Sequence, residues 1–197
     1  NCDWSSDVCS SDLDILHEVS ILSQYQASPR IGHMEELLHI FGYLKKNPKL
    51  SIYMDPSLPC IDYGDFKTNP KDFEEYYRDA HEHIPVDMPR PRGRSVTMTA
   101  FVDASFALNK KIRKSHTGYL LFVNRAPISW FSKRQTTVET STFSAEFIAM
   151  KTCLQAIESL RFKLQMFGIP IDGPTYVFCD NEGVVNKDRK STRLNSS

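Results

Sequence analysis

The sequence lacks an apolar run of the roughly 18 residues that a membrane-spanning helix needs, so we expect no integral membrane protein. The five cysteines form no CxxC pair and no metal-type spacing, which disfavours both a zinc module and a disulfide scaffold. The same cysteine pattern favours a reducing compartment, and neither end carries a basic segment followed by an apolar one, so we do not expect secretion. The chain also has no net charge, because 24 Lys+Arg balance 24 Asp+Glu in 197 residues.

The balanced charge hides two segments of opposite sign. Residues 51–87 contain nine acidic and three basic residues, whereas residues 90–135 contain ten basic residues and a single acid, Asp103. A basic segment of this density favours a phosphate-bearing partner such as a nucleic acid. A solvated basic face is the other interpretation, and charge alone does not separate the two. The isolation of Asp103 makes it a candidate functional residue.

The two ends of the chain show no periodic pattern. Residues 1–13 and 189–197 are polar and similar to translated sequencing-adapter sequence, so we expect both to be artefacts. We therefore leave them out of the prediction of the fold, and we expect the native chain to continue beyond Lys187.

The first patterned part of the chain is predicted to be helical. Apolar residues at helical spacing predict helices over 14–26 and 33–46, and a strand is expected over 50–54. We expect the two helices to form a short apolar pair that needs a larger partner. The following residues 55–95 are rich in proline and acids, which predicts a linker with one short helix over 73–81.

After the linker the pattern changes to strands and one long helix. β-forming residues predict three strands before the helix and a fourth after it, and Asn124-Arg125 between the second and third predicts a tight hairpin. Apolar residues spaced by three or four predict a long helix that ends before Gly168 and Pro170. The predicted strands cover 96–103, 117–123, 126–131 and 175–179, and the helix covers 142–167.

Three carboxylates occupy the places where this topology converges. Asp103 ends the first strand, Glu146 lies in the first turn of the long helix, and Asp180 ends the fourth strand. Sites in α/β sheets form at the carboxyl ends of strands, so we expect the three to meet there. Clustered carboxylates repel one another without a cation, and oxygen-rich clusters suit Mg²⁺ or Mn²⁺. Each residue alone is also typical of a turn or helix-start position.

Five short motifs follow one another between residues 96 and 185. They are FVDAS (101–105), KSHTGY (114–119), PISW with SKRQ (127–135), SAEF (144–147) and FCDN (178–181). In this order they resemble the ribonuclease H domain of Ty1/copia-type retrotransposon polyproteins. The upstream segments SPR (28–30), GH (32–33) and GYLKK (42–46) resemble the end of the reverse transcriptase that precedes that domain.

The resemblance implies an α/β fold with a ribonuclease H-like mixed sheet, in which strands one to three are antiparallel and strand four lies parallel to strand one. It divides the chain into a helical reverse transcriptase tail (14–54), the acidic linker (55–95) and a ribonuclease H-like domain (96–188). The implied activity is Mg²⁺-dependent hydrolysis of the RNA strand of RNA/DNA hybrids, with Mn²⁺ as the other candidate ion. The implied partners are the hybrid and the rest of the polyprotein, with no membrane, in a cytoplasmic virus-like particle.

By motif match, Asp103, Glu146 and Asp180 are the catalytic, metal-binding carboxylates. Polar motif residues are expected to contact the phosphates or sugars of the hybrid. Trp130 is expected in the core, and Thr117 has a second interpretation as an ordinary strand residue. The expected nucleic-acid-binding residues are Ser105, Thr117, Ser132, Lys133, Gln135 and Asn181.

The remaining motif residues have ordinary interpretations. We expect Cys153 and Cys179 to be small buried apolar residues. His116 belongs to no nucleophile or metal pattern.

The sequence departs from the family pattern in two places. Ser144 stands where copia-type enzymes commonly carry a second Glu. The family's later helix, fifth strand and further site residue have no counterpart after Lys187, so the domain is expected to be truncated before strand five, with strand four as an edge. A catalytically dead hybrid-binding or structural remnant is therefore an alternative. An integrase-type domain is a weaker one, because its acids follow the order Asp, Asp, Glu.

Overall fold

The computed structural model describes residues 13–62, 82, 84–107 and 113–185. In these ranges the chain forms a four-stranded sheet, one long helix packed on it and shorter helices before and after. The strands are β1 (Met98–Ser105), β2 (His116–Val123), β3 (Ala126–Arg134) and β4 (Tyr176–Cys179). The helices are α1 (Leu16–Leu22), α2 (Ile31–Lys46), α3 (Thr142–Met166) and α4 (Glu182–Val185). A 3-10 turn (Ser23–Tyr25) extends α1.

The strands lie side by side in the order β3-β2-β1-β4. β1 is antiparallel to β2 and β2 to β3, whereas β4 lies parallel beside β1 with Cys179 opposite Val102. Asn124 closes the β2–β3 hairpin in the left-handed backbone region (φ 55°) that such turns favour. The predicted α/β fold with a ribonuclease H-like mixed sheet is thereby confirmed.

The bounds of the elements depart from the prediction by a few residues. β3 continues three residues past its predicted end, because Arg134 still pairs with His116 at the start of β2. The long helix ends at Met166, and Gly168 follows with a φ of 71°, which is the predicted type of C-terminal stop.

The strand expected over 50–54 is wrong. These residues have no regular structure, and Leu50 and Tyr53 are exposed. A strand needs a neighbour to satisfy its backbone groups, and none of the described strands pairs with this segment. The helix predicted over 73–81, like the terminal segments 1–12 and 189–197, lies outside the described residues.

The helix α3 covers one face of the sheet, which we call the inner face. Alternate residues of β1 point to it and α3 residues four apart meet them, as the periods of a strand and a helix require. Ala145 and Ala149 are fully buried, and their small side chains let the helix approach β1 closely. The buried core consists of Met98, Ala100, Val102, Ala104, Leu121, Ala145, Ala149, Cys153 and Ile157.

The helix α1 packs on the opposite, outer face, against β3. The buried imidazole of His116 connects α1 to the sheet. Its Nε2 lies 3.2 Å from Oγ of Ser20 in α1 and 3.0 Å from Oγ of Ser132 in β3. Burial, and then the charges of His17 and Arg134, lower the pKa of His116 to about 4. His116 is therefore neutral at pH 7 and has a structural role.

The helix α2 turns much of its apolar surface to solvent. Met34, Leu38 and Phe41 are each more than half exposed, and no residue of this helix is buried. Among the described residues nothing covers this surface, and the expected larger partner stays a prediction. No helix in the described part of the chain has the length and apolar character needed to cross a bilayer.

Candidate functional site

Two parallel strands bring Asp103 and Asp180 to the same edge of the sheet. Val102 lies opposite Cys179 in the β1–β4 register, so the residues that follow them, Asp103 and Asp180, are neighbours at the carboxyl ends of both strands. Both aspartates are exposed. The juxtaposition that the predicted parallel pairing required is therefore present.

The start of α3 places Glu146 at this edge. The hydroxyl Oγ of Ser141 accepts a hydrogen bond from the backbone N–H of Ser144 at 3.1 Å, which caps the helix in the usual way. Glu146 is the fifth residue of α3, just after the first turn in which we had expected it, and it is only 7% exposed. A helix that packs on the inner face thus delivers a buried carboxylate to the strand ends.

Gln135 fixes this helix start to the sheet. Its Nε2 donates to Thr117 Oγ1 at 3.0 Å and to the backbone carbonyl of Ala145 at 2.9 Å. Both Gln135 and Thr117 are buried. Because Ala145 precedes Glu146, these two hydrogen bonds determine where the glutamate enters the site.

The pKa of Glu146 reflects the charges of both aspartates. Burial, followed by repulsion from Asp103 and from Asp180, raises the pKa of Glu146 from 4.5 to about 7, and a backbone hydrogen bond from Ala104 lowers it by less. Both aspartate charges therefore act on the same buried glutamate. This is the arrangement predicted from the sequence; the role of the three residues as metal ligands stays a prediction.

Cys179 is a further member of the site that the sequence prediction missed. A ligand atom from each of Glu146, Cys179 and Asp180 lies within 4.8 Å of the other two. The thiol is half-buried, and burial, with smaller contributions from the three carboxylates, raises its pKa. The expectation of a small buried apolar residue is confirmed in part, because the half-buried Cys179 also packs against the core. Its position directly before Asp180 at a strand end was the signal that could have placed it here.

Asp103 is oriented differently from the other two carboxylates. Its Oδ1 accepts a hydrogen bond from the backbone N–H of Ala104 at 2.7 Å, which turns the carboxylate towards its own strand. It contributes charge to the cluster without belonging to the closest group of three ligand atoms.

The donor set fits a divalent cation. Glu146 Oε2 is buried and has no hydrogen-bond partner, which is costly for a carboxylate oxygen unless a cation is nearby. Carboxylate oxygens are the ligands that Mg²⁺ and Mn²⁺ prefer. The residues present are therefore suited to the ions expected from the sequence.

The structure places the residues predicted to contact a hybrid in different environments. Thr117 and Gln135 are buried and hydrogen-bonded to each other, so both have a structural role, although Gln135 Oε1 has no hydrogen-bond partner. Ser132 contacts His116, as described above. Lys133 is exposed on β3.

The remaining two predicted contacts flank the carboxylates. Ser105 ends β1 and is half-buried. Asn181 is half-buried as well, and its Oδ1 accepts a hydrogen bond from the backbone N–H of Val184 at 3.3 Å, which supports α4. Contacts of Ser105, Asn181, Ser132 and Lys133 with a nucleic acid stay predictions.

A cavity of about 820 Å³ opens beside the cluster, between α1 and the outer face of the sheet. Asp103, Cys179 and Asp180 reach its wall, so solvent and ions have access to them. Trp130 also lines this cavity and is half-buried, whereas we had expected it in the core. The buried core lies on the inner face of the sheet, and Trp130 is not part of it.

Comparison with known proteins gives transposon and effector relatives. The chain is 25% identical over 170 residues to the retrovirus-related Pol polyprotein from transposon RE1 of Arabidopsis thaliana, a match that covers 86% of this chain and 9% of that protein. It is 25% identical over 178 residues to the corresponding polyprotein from transposon TNT 1-94 of Nicotiana tabacum, covering 90% of this chain and 10% of that protein. The chain thus spans about a tenth of the length of these polyproteins.

A shorter relative has a higher sequence identity over a shorter stretch. The secreted RxLR effector protein 161 of Plasmopara viticola is 33% identical over 142 residues, which cover 72% of this chain and 75% of that protein. No family model and no solved structure matches the chain. The chain therefore belongs to the same sequence family as this effector, and it is similar over most of its length to retrovirus-related Pol polyproteins of transposons, which agrees with the resemblance to Ty1/copia-type Pol sequences.

Proposed function

We propose that this chain hydrolyses the RNA strand of RNA/DNA hybrids endonucleolytically, in a divalent-metal-dependent reaction of retrotransposon reverse transcription. One observation carries the proposal: a buried glutamate with an unpartnered oxygen lies beside two aspartates at the carboxyl edge of a ribonuclease H-like sheet. Such a cluster has little structural value, because its charges repel one another and one of them is buried.

Asp103, Glu146 and Asp180 are the residues that would hold Mg²⁺, or Mn²⁺ in its place. Divalent ions, when bound by such carboxylates, activate a water and stabilise the leaving oxygen in phosphodiester hydrolysis. The task of the chain is to fix the ligands in advance. The Ser141 cap and the Gln135 hydrogen bonds hold the start of α3, and the β1–β4 pairing holds both aspartates.

The basic segment supports the choice of an RNA/DNA hybrid as substrate. Lys133 is exposed on the sheet, and Ser105 and Asn181 lie beside the carboxylates, where phosphates or sugars of a bound duplex could be contacted. The relatives are parts of larger polyproteins, so we propose the remainder of the polyprotein as a second partner and a cytoplasmic virus-like particle as the location.

Cleavage of a labelled hybrid, with and without Mg²⁺, tests this proposal. Wild-type protein is expected to cut the RNA strand only when Mg²⁺ is present, while Asp103→Asn binds the hybrid without cutting it. Asp172→Asn is the matched control, because Asp172 is an exposed acid in the loop before β4, and it should cut like wild type.

Three outcomes would contradict the proposal. Cleavage by Asp103→Asn at the wild-type rate would indicate a contaminating nuclease. Hybrid binding without any cleavage by wild type would indicate the catalytically dead remnant. Joining of DNA ends in place of RNA cleavage would indicate an integrase-type activity.

A further inference from the structure

Cys179 places a sulfur atom inside the carboxylate cluster. Its Sγ, a carboxylate oxygen of Glu146 and a carboxylate oxygen of Asp180 all lie within 4.8 Å of one another. Hydrolysis by hard cations needs oxygen ligands and assigns no task to this sulfur. The three atoms together form a mixed sulfur and oxygen donor set.

Glu146 provides independent support for a cation at this place. Its side chain is only 7% exposed, and its Oε2 makes no hydrogen bond. Buried carboxylate oxygens are normally paired, so this one lacks a positively charged or hydrogen-bonding partner. The cavity beside the cluster is lined by Cys179 and Asp180, which gives a dissolved ion a route to it.

The chemistry of the donor set favours a borderline-soft ion over Mg²⁺. Mg²⁺ takes oxygen ligands in octahedral geometry and gains nothing from sulfur. Zn²⁺ binds thiolate, carboxylate and water in four-coordinate sites, and three protein ligands plus a water are typical of its open sites. A site with one sulfur and two carboxylates therefore matches Zn²⁺ more closely than the all-oxygen set does.

We propose that Glu146, Cys179 and Asp180 form a binding site for a thiophilic divalent cation, Zn²⁺ being the physiological example, that competes with Mg²⁺ for the same two carboxylates. As the metal–sulfur bond forms, the thiol proton passes to solvent. Binding of Zn²⁺ at this site does not depend on the proposed function. The displacement of a hydrolytic Mg²⁺ by Zn²⁺ does rest on the proposed function.

The experiment titrates the full chain with Cd²⁺, a spectroscopic substitute for Zn²⁺, and records the ultraviolet thiolate-to-metal charge-transfer absorption. Wild type should develop this band, and Cys179→Ser should lose most of it. Cys60→Ser is the matched control, because Cys60 is a free, exposed cysteine outside the cluster, and it should retain the band. Circular dichroism confirms that each variant is folded, and Cys179→Ala repeats the test if the serine variant is not.

Competition titrations give the second readout. Zn²⁺ affinity is measured by calorimetry in wild type, Cys179→Ser and Glu146→Gln, and Mg²⁺ is then added as competitor. Loss of a residue that only supports a metal ligand typically weakens metal binding by about 10–100-fold. Cys179→Ser removes a direct ligand, so it should lower the Zn²⁺ affinity by at least about tenfold. The ratio of Zn²⁺ to Mg²⁺ affinity should fall by a similar factor. Glu146→Gln should weaken both ions.

The results separate this proposal from the proposed function. A full charge-transfer band in Cys179→Ser, or an unchanged ratio of Zn²⁺ to Mg²⁺ affinity, would refute the mixed donor site and leave Mg²⁺-dependent hydrolysis untouched. A cysteine-dependent band in a protein that cleaves no hybrid would support the metal site and count against the nuclease.

Discussion

Neutralising Glu146 is expected to stabilise the metal-free protein at neutral and alkaline pH. Burial and the charges of Asp103 and Asp180 raise the pKa of Glu146 from 4.5 to about 7. The folded state therefore binds this proton more tightly than the unfolded state does. The resulting stability is fully present below about pH 4.5, is lost as the pH rises to about 7, and is absent above.

The size of the effect follows from the same shift. One pKa unit corresponds to about 1.4 kcal/mol, so the shift sets an upper limit of roughly 3 kcal/mol. Solvent reaches the cluster through the cavity and screens the charges, which lowers the expectation to about 1–2 kcal/mol. Glu146→Gln keeps the shape and one acceptor oxygen but removes the charge. It should raise the free energy of unfolding by this amount at about pH 8 and by nearly nothing at about pH 4.

Urea denaturation in chelator-containing buffer at both pH values measures this difference. Addition of Mg²⁺ should then stabilise wild type more than the variant, because only wild type offers the complete ligand set. Glu158→Gln is the control, since Glu158 is an exposed glutamate on the same helix and its neutralisation should change little. If Glu146→Gln were destabilising to the same extent at both pH values, repulsion in the cluster would not be the cause.

Three further predictions concern the surroundings of the site. Gln135→Ala removes buried hydrogen bonds to Thr117 and to the Ala145 carbonyl and should lower the free energy of unfolding by about 1–3 kcal/mol in chemical denaturation, with unchanged stability as the contrary result. Arg161→Ala breaks a bidentate pair with Glu82 at 2.8 and 2.7 Å and should cost about 1 kcal/mol at low salt and less at high salt, a difference that thermal unfolding at two salt concentrations detects. Hybrid affinity should fall steeply with salt, and a flat response in a filter-binding assay would contradict a basic contact surface.

The sheet and its helix were predictable from the sequence because their signals are local. Asn124-Arg125 between two alternating segments fixed the hairpin, and Gly168 marked the end of α3. The parallel pairing of β4 with β1 is not local, and its prediction came from the family resemblance. Once that pairing was assumed, the meeting of Asp103 with Asp180 followed from strand direction alone.

The parts that were not predicted depend on side-chain environment. Gln135 looks like a polar contact residue in the sequence, but its buried hydrogen bonds to the start of α3 become visible only when β3 and the helix are placed together. Cys179 packs against the core as its sequence context indicates, but its sulfur also lies close to two carboxylates. The expected strand over 50–54 fails because β-propensity does not supply a pairing partner.

The acidic and basic segments of the sequence contact each other in the folded chain. Asp55 of the acidic segment pairs with Arg125 of the basic segment at 3.2 Å, and the arginine side chain is 61% exposed. Exposed pairs of this kind contribute about 0–1 kcal/mol, so a phosphate backbone can replace the aspartate at small cost. The zero net charge of the chain is therefore compatible with binding of a polyanion.

The rigid elements around the cluster explain how the fold holds three like charges together. The start of α3 is fixed by its cap and by Gln135, and Asp103 and Asp180 end two strands that are hydrogen-bonded to each other. Glu146 cannot leave the cluster without breaking buried contacts, and the strand pairing fixes the backbone positions of Asp103 and Asp180. Their repulsion destabilises the metal-free protein and is relieved when a cation binds, so metal affinity and metal-free instability have one origin. A variant that stabilises the metal-free fold by removing one of these charges must therefore bind divalent cations more weakly.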